Sequence, residues 1–332
     1  MATAASRSFR LTAGHRRLGA KLVGAMLSLA FVLVFNFFLF RVLPGDPAKN
    51  LTRNRLVPAE QVQVLRESFG LGKPLHEQFI SYVGDTLRGD LGISYKFRRP
   101  VSEVIAERIW PTVLLLGVST MLSTVIGLWI GIKGAWQRGS VFDRVSLGAS
   151  LVLYAMPEGW LGMLLLLVFS GWLHWFPAGG YASADKTGVA HLVDLLDHLF
   201  LPLLTLTLGY IGGYAIVMRS SMIDTINEDF VHTARAKGVP ERLVRSKHVV
   251  PNAFLPSFTL IILSFGFVLG GAIVIEAVYS WPGLGLLTYQ AINTLDFPVI
   301  QGVFLIASAA VIVANLVADI TYGYLDPRIK QA

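Results

Sequence analysis

The chain has 332 residues, of which 54% are hydrophobic and only 15% charged, and its formal charge is +7. Soluble domains carry about 25% charged residues, so this deficit marks a membrane protein. The absence of cysteine excludes disulfides, a thiol nucleophile and any Cys-bearing metal site. The basic excess falls where membrane topology accounts for most of it, which argues against a nucleic-acid partner.

Residues 1–21 hold Arg7, Arg10, Arg16, Arg17 and Lys21 and no acid. Leu22–Phe40 follow as an uncharged run of 19 residues, long enough to cross a hydrocarbon core of about 30 Å. A secretory signal would end in small residues; this run ends in Phe-Phe-Leu-Phe-Arg, so an uncleaved first span is expected. The five preceding cations place the N-terminus in the cytoplasm.

Residues 41–108 form a long polar segment with helical patterning. Pro58 to Phe69 puts Val62, Leu65 and Phe69 on one face, and Leu75 to Leu87 repeats the pattern with Phe79, Tyr82 and Val83. Pro100 is placed to open a third helix towards Trp110. The segment's eleven Lys/Arg do not forbid an outside location, because long domains translocate largely regardless of charge. It reads equally as an outer cap or as a docking surface for an extracytoplasmic partner.

The second span is expected at Ile109–Ile132. The apolar stretch Val145 to Trp172, 28 residues, is too long for a simple crossing, and Pro157 in its middle predicts a kink. Glu158 follows directly. The fourth, fifth and sixth spans are expected at Leu199–Met218, about Ala253–Ile275 and Phe297–Ala318. The four inner segments then hold sixteen Lys/Arg and the two short outer loops one, Lys186. Six spans with both ends inside give this contrast, and shifting one span would invert it.

The long basic stretch 219–252 lies between the fourth and fifth spans. Within it, Asn227 is suited to cap a helix from Glu228 to Lys237, with acids in its first turn and Arg235 and Lys237 in its last. Gly238 is the expected left-handed stop, Pro240 the start of a second short helix and Pro251 its end. The composition alone equally fits a loop that only fixes orientation.

Other chemistry is sparse. No Gly-x-x-x-x-Gly-Lys-Ser/Thr occurs, so the chain cannot cradle a nucleotide's phosphates in such a loop, and neither His-Glu-x-x-His nor Gly-x-Ser-x-Gly is present. Glu158 is the one acid inside a span. A charge at a helix centre costs about 2.5–3.5 kcal/mol on insertion scales. Either the Pro157 break admits water or a partner to it, or Glu158 lines a transport cavity and attracts a cationic substrate group. Tyr210 and Tyr214, one turn apart, are further cavity candidates, although packing explains them as well. Gly127/Gly131, Gly209/Gly213 and Gly266/Gly270 each allow close helix approach within a span.

Gly238 precedes Pro251 by thirteen positions and follows a Thr-Ala-Arg-Ala-Lys run. This stretch resembles the "EAA" loop of type I ABC importer permeases, in which Glu-Ala-Ala, three residues, Gly, nine residues and Ile-x-Leu-Pro follow in order. His232, Thr233 and Ala234 occupy the Glu-Ala-Ala positions, and His248 and Val250 those of Ile and Leu. The loss of the Glu departs from the general motif, whereas the Thr-Ala-Arg-Ala-Lys-Gly form resembles the dipeptide/oligopeptide branch. Arg41 to Ala48, Gly89 to Ser94, Arg99 to Val101, Ser280 to Gly285 and Tyr324 to Arg328 resemble the same branch in the same order.

The resemblance implies an all-α membrane protein of six transmembrane helices with the type I ABC importer permease fold. A partly helical extracytoplasmic segment would follow the first span, residues 1–108 forming one part and 109–332 the permease core. It further implies a non-catalytic permease subunit in the inner or plasma membrane, importing di- or oligopeptides. Its partners would be a second homologous permease, two ATPase subunits, an extracytoplasmic solute-binding protein and membrane lipid. ATP and Mg would sit on the ATPases and no cofactor on this chain. Asp229, His232, Thr233, Ala234, Arg235, Ala236, Lys237, Gly238 and Pro251 would form the ATPase-coupling surface. Oligosaccharides or metal complexes are alternative cargoes; a stand-alone channel or an ion-coupled carrier is the alternative class.

Overall fold

The computed structural model describes residues 2–42, 74–183, 185–268 and 270–325. The expected helix Pro58–Phe69, most of the motif at 41–48 and the tail cations Arg328 and Lys330 lie outside the described residues. Within them every regular element is helical, apart from one isolated bridge between Ile93 and Pro100. The helices are α1 (Ala2–Val42), α2 (Leu75–Leu87), α3 (Val101–Trp136), α4 (Val141–Ala155), α5 (Glu158–Trp172), α6 (Gly188–Ile226), α7 (Asp229–Ala236), α8 (Glu241–Val268), α9 (Ile273–Val278), α10 (Leu284–Thr294) and α11 (Phe297–Leu325). Five of them, α1, α3, α6, α8 and α11, are long and apolar enough to cross a membrane. The pair α4 and α5, bent by 102°, supplies the sixth stretch. The chain divides into two compact units, residues 1–109 with 287–332, and residues 110–286.

In the first unit α11 packs along α1, and α2 docks against α1 through Phe79 and Tyr82 around the Phe37 ring. Asn36 lies buried in the middle of this apolar contact. Its amide donates to Tyr82 Oη at 3.2 Å and to the Gln301 carbonyl at 3.1 Å, so one polar side chain ties three helices together. Such a bond compensates a polar group where water is scarce. The motif Gly89 to Ser94 forms a tight loop hung on a buried carboxylate. Asp296 accepts from Ser94 Oγ at 2.5 Å and from the backbone N–H groups of Tyr95 and Lys96 at 3.1 Å each.

Several boundaries differ from the sequence expectation. Pro100 does open a helix, but that helix does not stop before the second span: α3 runs unbroken from Val101 with Pro111 inside it. The Pro111 carbonyl accepts from Trp281 Nε1 at 2.9 Å. The fifth span was expected to reach Ile275, yet α8 ends at Val268. Gly271 then takes φ +74°, a left-handed conformation cheap only for glycine, and α9 starts afresh. There is also a close approach here, since a Cβ on Gly271 would press on the Gly285 backbone. The kink at Pro157 is present and sharp enough to divide the stretch into two helices. Pro157 itself stands just ahead of α5, where its missing N–H breaks no bond.

The second unit is organised around α6, which contacts α4, α5, α8 and α9. Gly127 and Gly131 of α3 meet α6 closely: a Cβ on Gly127 would lie 2.6 Å from Tyr214 Cβ, and one on Gly131 2.7 Å from the Ala215 carbonyl. This pair is thus spent on packing inside the chain. Gly209 and Gly213 do something different. The residue of α6 that touches the α4 backbone, at the Ser150 carbonyl, is Gly212, while Gly209 and Gly213 face the side chains of Glu158 and Tyr154.

Candidate functional site

The stretch between α6 and α8 folds as a hook. At eight residues α7 is far shorter than the roughly 12–15 needed for an isolated helix in water, so tertiary contact must hold it. Val231 and Ala234, three residues apart, share one face and are buried with Met218, Met222, Val244, Val249 and Ala253. Fully burying a valine side chain is worth about 1.5–3 kcal/mol. Three buried valines fasten the hook to the ends of α6 and α8.

Gly238 has φ +76°, as its expected role as helix stop requires. Its N–H donates to the Arg235 carbonyl at 2.9 Å, and Val239 N–H to the Ala234 carbonyl at 3.2 Å. This pair of bonds is the Schellman arrangement, and Val239 packs beside Ala234 to complete it. Across the corner Arg235 Nε donates to Glu241 Oε1 at 2.9 Å. A cleft of about 280 Å³ opens beside the corner, lined by Trp136, Arg138, Ile223, Ile226, Arg235 and Glu241 among others.

Two local expectations fail. Asn227 does not cap α7: its amide donates back to the Ile223 carbonyl at 3.0 Å, and Glu228 is the N-cap without a side-chain bond. Asn227 closes α6 instead, since the connection is too short to leave it free. Nor does Pro251 end a second short helix. The helix that starts after Pro240 is α8 itself, which continues past Pro251 through a π-helical stretch, Val244–Val249. The wider π turn accommodates a proline that has no N–H to give and whose ring would crowd the preceding turn. Asn252 Nδ2 donates to the His248 carbonyl there, at 2.6 Å.

The nine residues of the predicted coupling surface therefore divide. Ala234 is buried and Arg235 half-buried in the corner pair, so both hold the hook's shape. Asp229, His232, Thr233, Ala236, Lys237 and Gly238 are exposed on the other side of α7 and its turn. Pro251 is exposed on α8. Phe230 and Leu243 are also exposed, so the surface carries apolar as well as polar groups.

At the root of the hook lies an ion pair not evident in the sequence. Arg219 of α6 grips Asp143 of α4 with two parallel bonds, Nε to Oδ1 at 2.6 Å and Nη2 to Oδ2 at 2.9 Å. Asp143 also accepts from Gly139 N–H at 2.9 Å and is almost fully buried. Removing one partner of a buried pair costs about 3–5 kcal/mol, because the other charge is stranded. Arg219→Met is expected to lower the thermal midpoint of the purified protein clearly. Adding Asp143→Asn should restore part of the loss.

Of the predicted pathway residues, Tyr210 and Tyr214 lie on α6 and Glu158 at the start of α5. Tyr214 is buried and donates to Ser264 Oγ at 2.8 Å, which makes it a packing residue in this chain. Tyr210 is half-buried beside the apolar cluster around Trp281. Glu158 is half-buried at the α4–α5 break, against Gly209.

A second buried carboxylate closes the far end of this unit. Glu276 is fully buried on α9 and accepts from Thr112 Oγ1 at 2.9 Å and from Leu286 N–H at 3.0 Å. Thr112 in turn accepts from Leu284 N–H at 2.7 Å. The Ser280-to-Gly285 motif wraps this carboxylate. Tyr279 Oη, beside it, donates to the Gly162 carbonyl and meets Thr205 Oγ1, both at 2.9 Å, which joins α5, α6 and α9.

The hook thus presents exposed polar and apolar groups between two long apolar helices. Residues 123–331 match the family described as binding-protein-dependent transport system inner membrane component, and residues 15–116 match the N-terminal part of such membrane components. The chain belongs to this family. A protein of Brucella suis biovar 1 named as a peptide permease is 40% identical over 93% of this chain and 97% of its own length. The glutathione transport system permease protein GsiC of Salmonella choleraesuis is 40% identical with the same coverage of both chains, and that of Escherichia coli O6:H1 38%. The chain is thus a multi-pass membrane component of a transport system that works with a solute-binding protein.

Proposed function

We propose that this chain is the permease subunit of an ATP-driven importer of small peptides, forming half of the translocation pathway and engaging its motor through residues 227–252. Its partners in this reading are a second homologous permease, two ATPase subunits that carry ATP and Mg, and an extracytoplasmic solute-binding protein. Both termini and the hook face the cytoplasm, as the lysine and arginine distribution requires.

The observation that carries the coupling role is the construction of the hook. Its inner face is fixed by buried valines and its outer face is free. A push on the outer face therefore moves the hook as a body. The motion enters α6, which runs unbroken for 39 residues to the Thr205–Tyr279 contact and beyond. It also enters α8, which ends short of the Gly271 turn and the separate helix α9. Peptide cargo rests on the names of the relatives, one a peptide permease and others glutathione permeases. Uptake of a labelled dipeptide and of glutathione into vesicles holding the complete transporter tests it. Uptake should require both ATP and the binding protein; nucleotide-independent movement would contradict the reading.

A further inference from the structure

We propose that Glu158, flanked by Tyr154 and Tyr210, is the station in the permeation path that takes the cationic α-amino end of a peptide. The inference rests on the peptide reading above and deepens it.

Glu158 is the only acid of the α4–α5 pair that stands at its break, seventeen residues from the Val141 start and fourteen from the Trp172 end. It is half-exposed, and among the described residues it has neither a hydrogen-bond nor an ion-pair partner. The other buried acids described in this unit are saturated: Asp143 by Arg219 and Gly139, Asp194 by Ser183 and Lys186, Glu276 by Thr112 and Leu286. An open carboxylate at such a place is not tolerated against lipid, so its free side faces water, a partner or a polar cargo.

The surroundings point to the cargo. Gly209 and Gly213, one turn apart on α6, form a track without side chains. Glu158 lies over the first, its Cγ 3.5 Å from where a Cβ would be, and the Tyr154 ring lies over the second at the same distance. Tyr154 is 65% exposed in spite of its apolar neighbours, and Tyr210 follows Gly209 within electrostatic reach of Glu158. A carboxylate with an exposed phenol ring one turn along the same glycine track matches an ammonium group, which pairs with the charge and can lie against the ring. A neutral oligosaccharide has no use for the charge, and an anionic metal complex would be repelled by it.

The test uses proteoliposomes holding the complete transporter, with the binding protein saturated. The probes are Ala-Ala, which carries a free amine, its N-acetylated form, which does not, and glutathione. E158Q is expected to cut the Ala-Ala rate at least about tenfold, since truncating one side of a desolvated charge pair is costly. The N-acetyl form should change less than twofold, and E158D should recover most of the loss. An equal fall for both Ala-Ala forms, or no fall, would overturn the station while leaving peptide import intact. A wild-type transporter that moves neither Ala-Ala nor glutathione would overturn both. As the chain has no cysteine, E158C supplies a second reading independent of turnover. It should react with a membrane-impermeant cationic thiol reagent and be protected by Ala-Ala; inertness would sink the proposal.

Discussion

Gly238→Val is expected to abolish transport-coupled ATP hydrolysis while the protein still inserts in the membrane. No atom lies within 4 Å of a Cβ at this position, so the defect is not a clash with a neighbour. It comes from the backbone. The residue sits at φ +76°, where an L side chain costs about 1–2 kcal/mol and a β-branched one more. That cost is comparable to what each buried valine contributes to holding the hook, so the corner opens in preference to the spans unfolding. Gly238→Asn separates conformation from size, because asparagine tolerates the left-handed region. It should keep most of the coupling. Equal loss in both variants would indicate that the surface at Gly238, rather than the angle of the corner, is what matters.

Gly283→Ala is expected to have the larger effect on stability. A Cβ there would fall against Glu276 Oε2 and Thr112 Oγ1, two side chains that are already hydrogen-bonded to each other. Overpacking alone costs about 1–3 kcal/mol. Displacing the carboxylate also weakens its bonds to Thr112 and Leu286, each worth about 1.5–3 kcal/mol for a charged acceptor. The sum is on the order of 5 kcal/mol, a large share of the usual 5–15 kcal/mol of a folded protein. The level of chain in membranes and its thermal midpoint should both fall sharply. Gly209→Ala is the control: its Cβ would meet Glu158 at an ordinary 3.5 Å and should leave the midpoint almost unchanged.

These two glycines show which parts of the molecule were legible in the sequence. The hook was legible because its signals are local. A glycine after a charged helix, and a proline two residues later, fix the corner within a dozen residues. The helix Leu75–Leu87 was predicted to its end residues for the same reason, since its apolar face repeats at helical spacing. The α4–α5 break announced itself through Pro157. What the sequence hid depends on distant partners. Thr112 and Glu276 are separated by 164 positions and Arg219 and Asp143 by 76, so nothing near either residue reveals the pairing. The role of Asn36 is equally hidden, because its partners Tyr82 and Gln301 lie 46 and 265 positions away. The continuity through Pro251 was missed because proline usually ends a helix, and only the π turn before it relieves the conflict.

The account depends on the hook being the place where the motor grips. The natural absence of cysteine makes a direct measurement possible, with a single thiol introduced by Thr233→Cys on the exposed face of α7. In inside-out vesicles this thiol should label freely and, in the assembled transporter, cross-link to an ATPase subunit, with a yield that changes between nucleotide-free and ATP-bound states. Labelling only from the external face, or an ATPase that assembles and turns over without ever coming within reach of this position, would contradict the account.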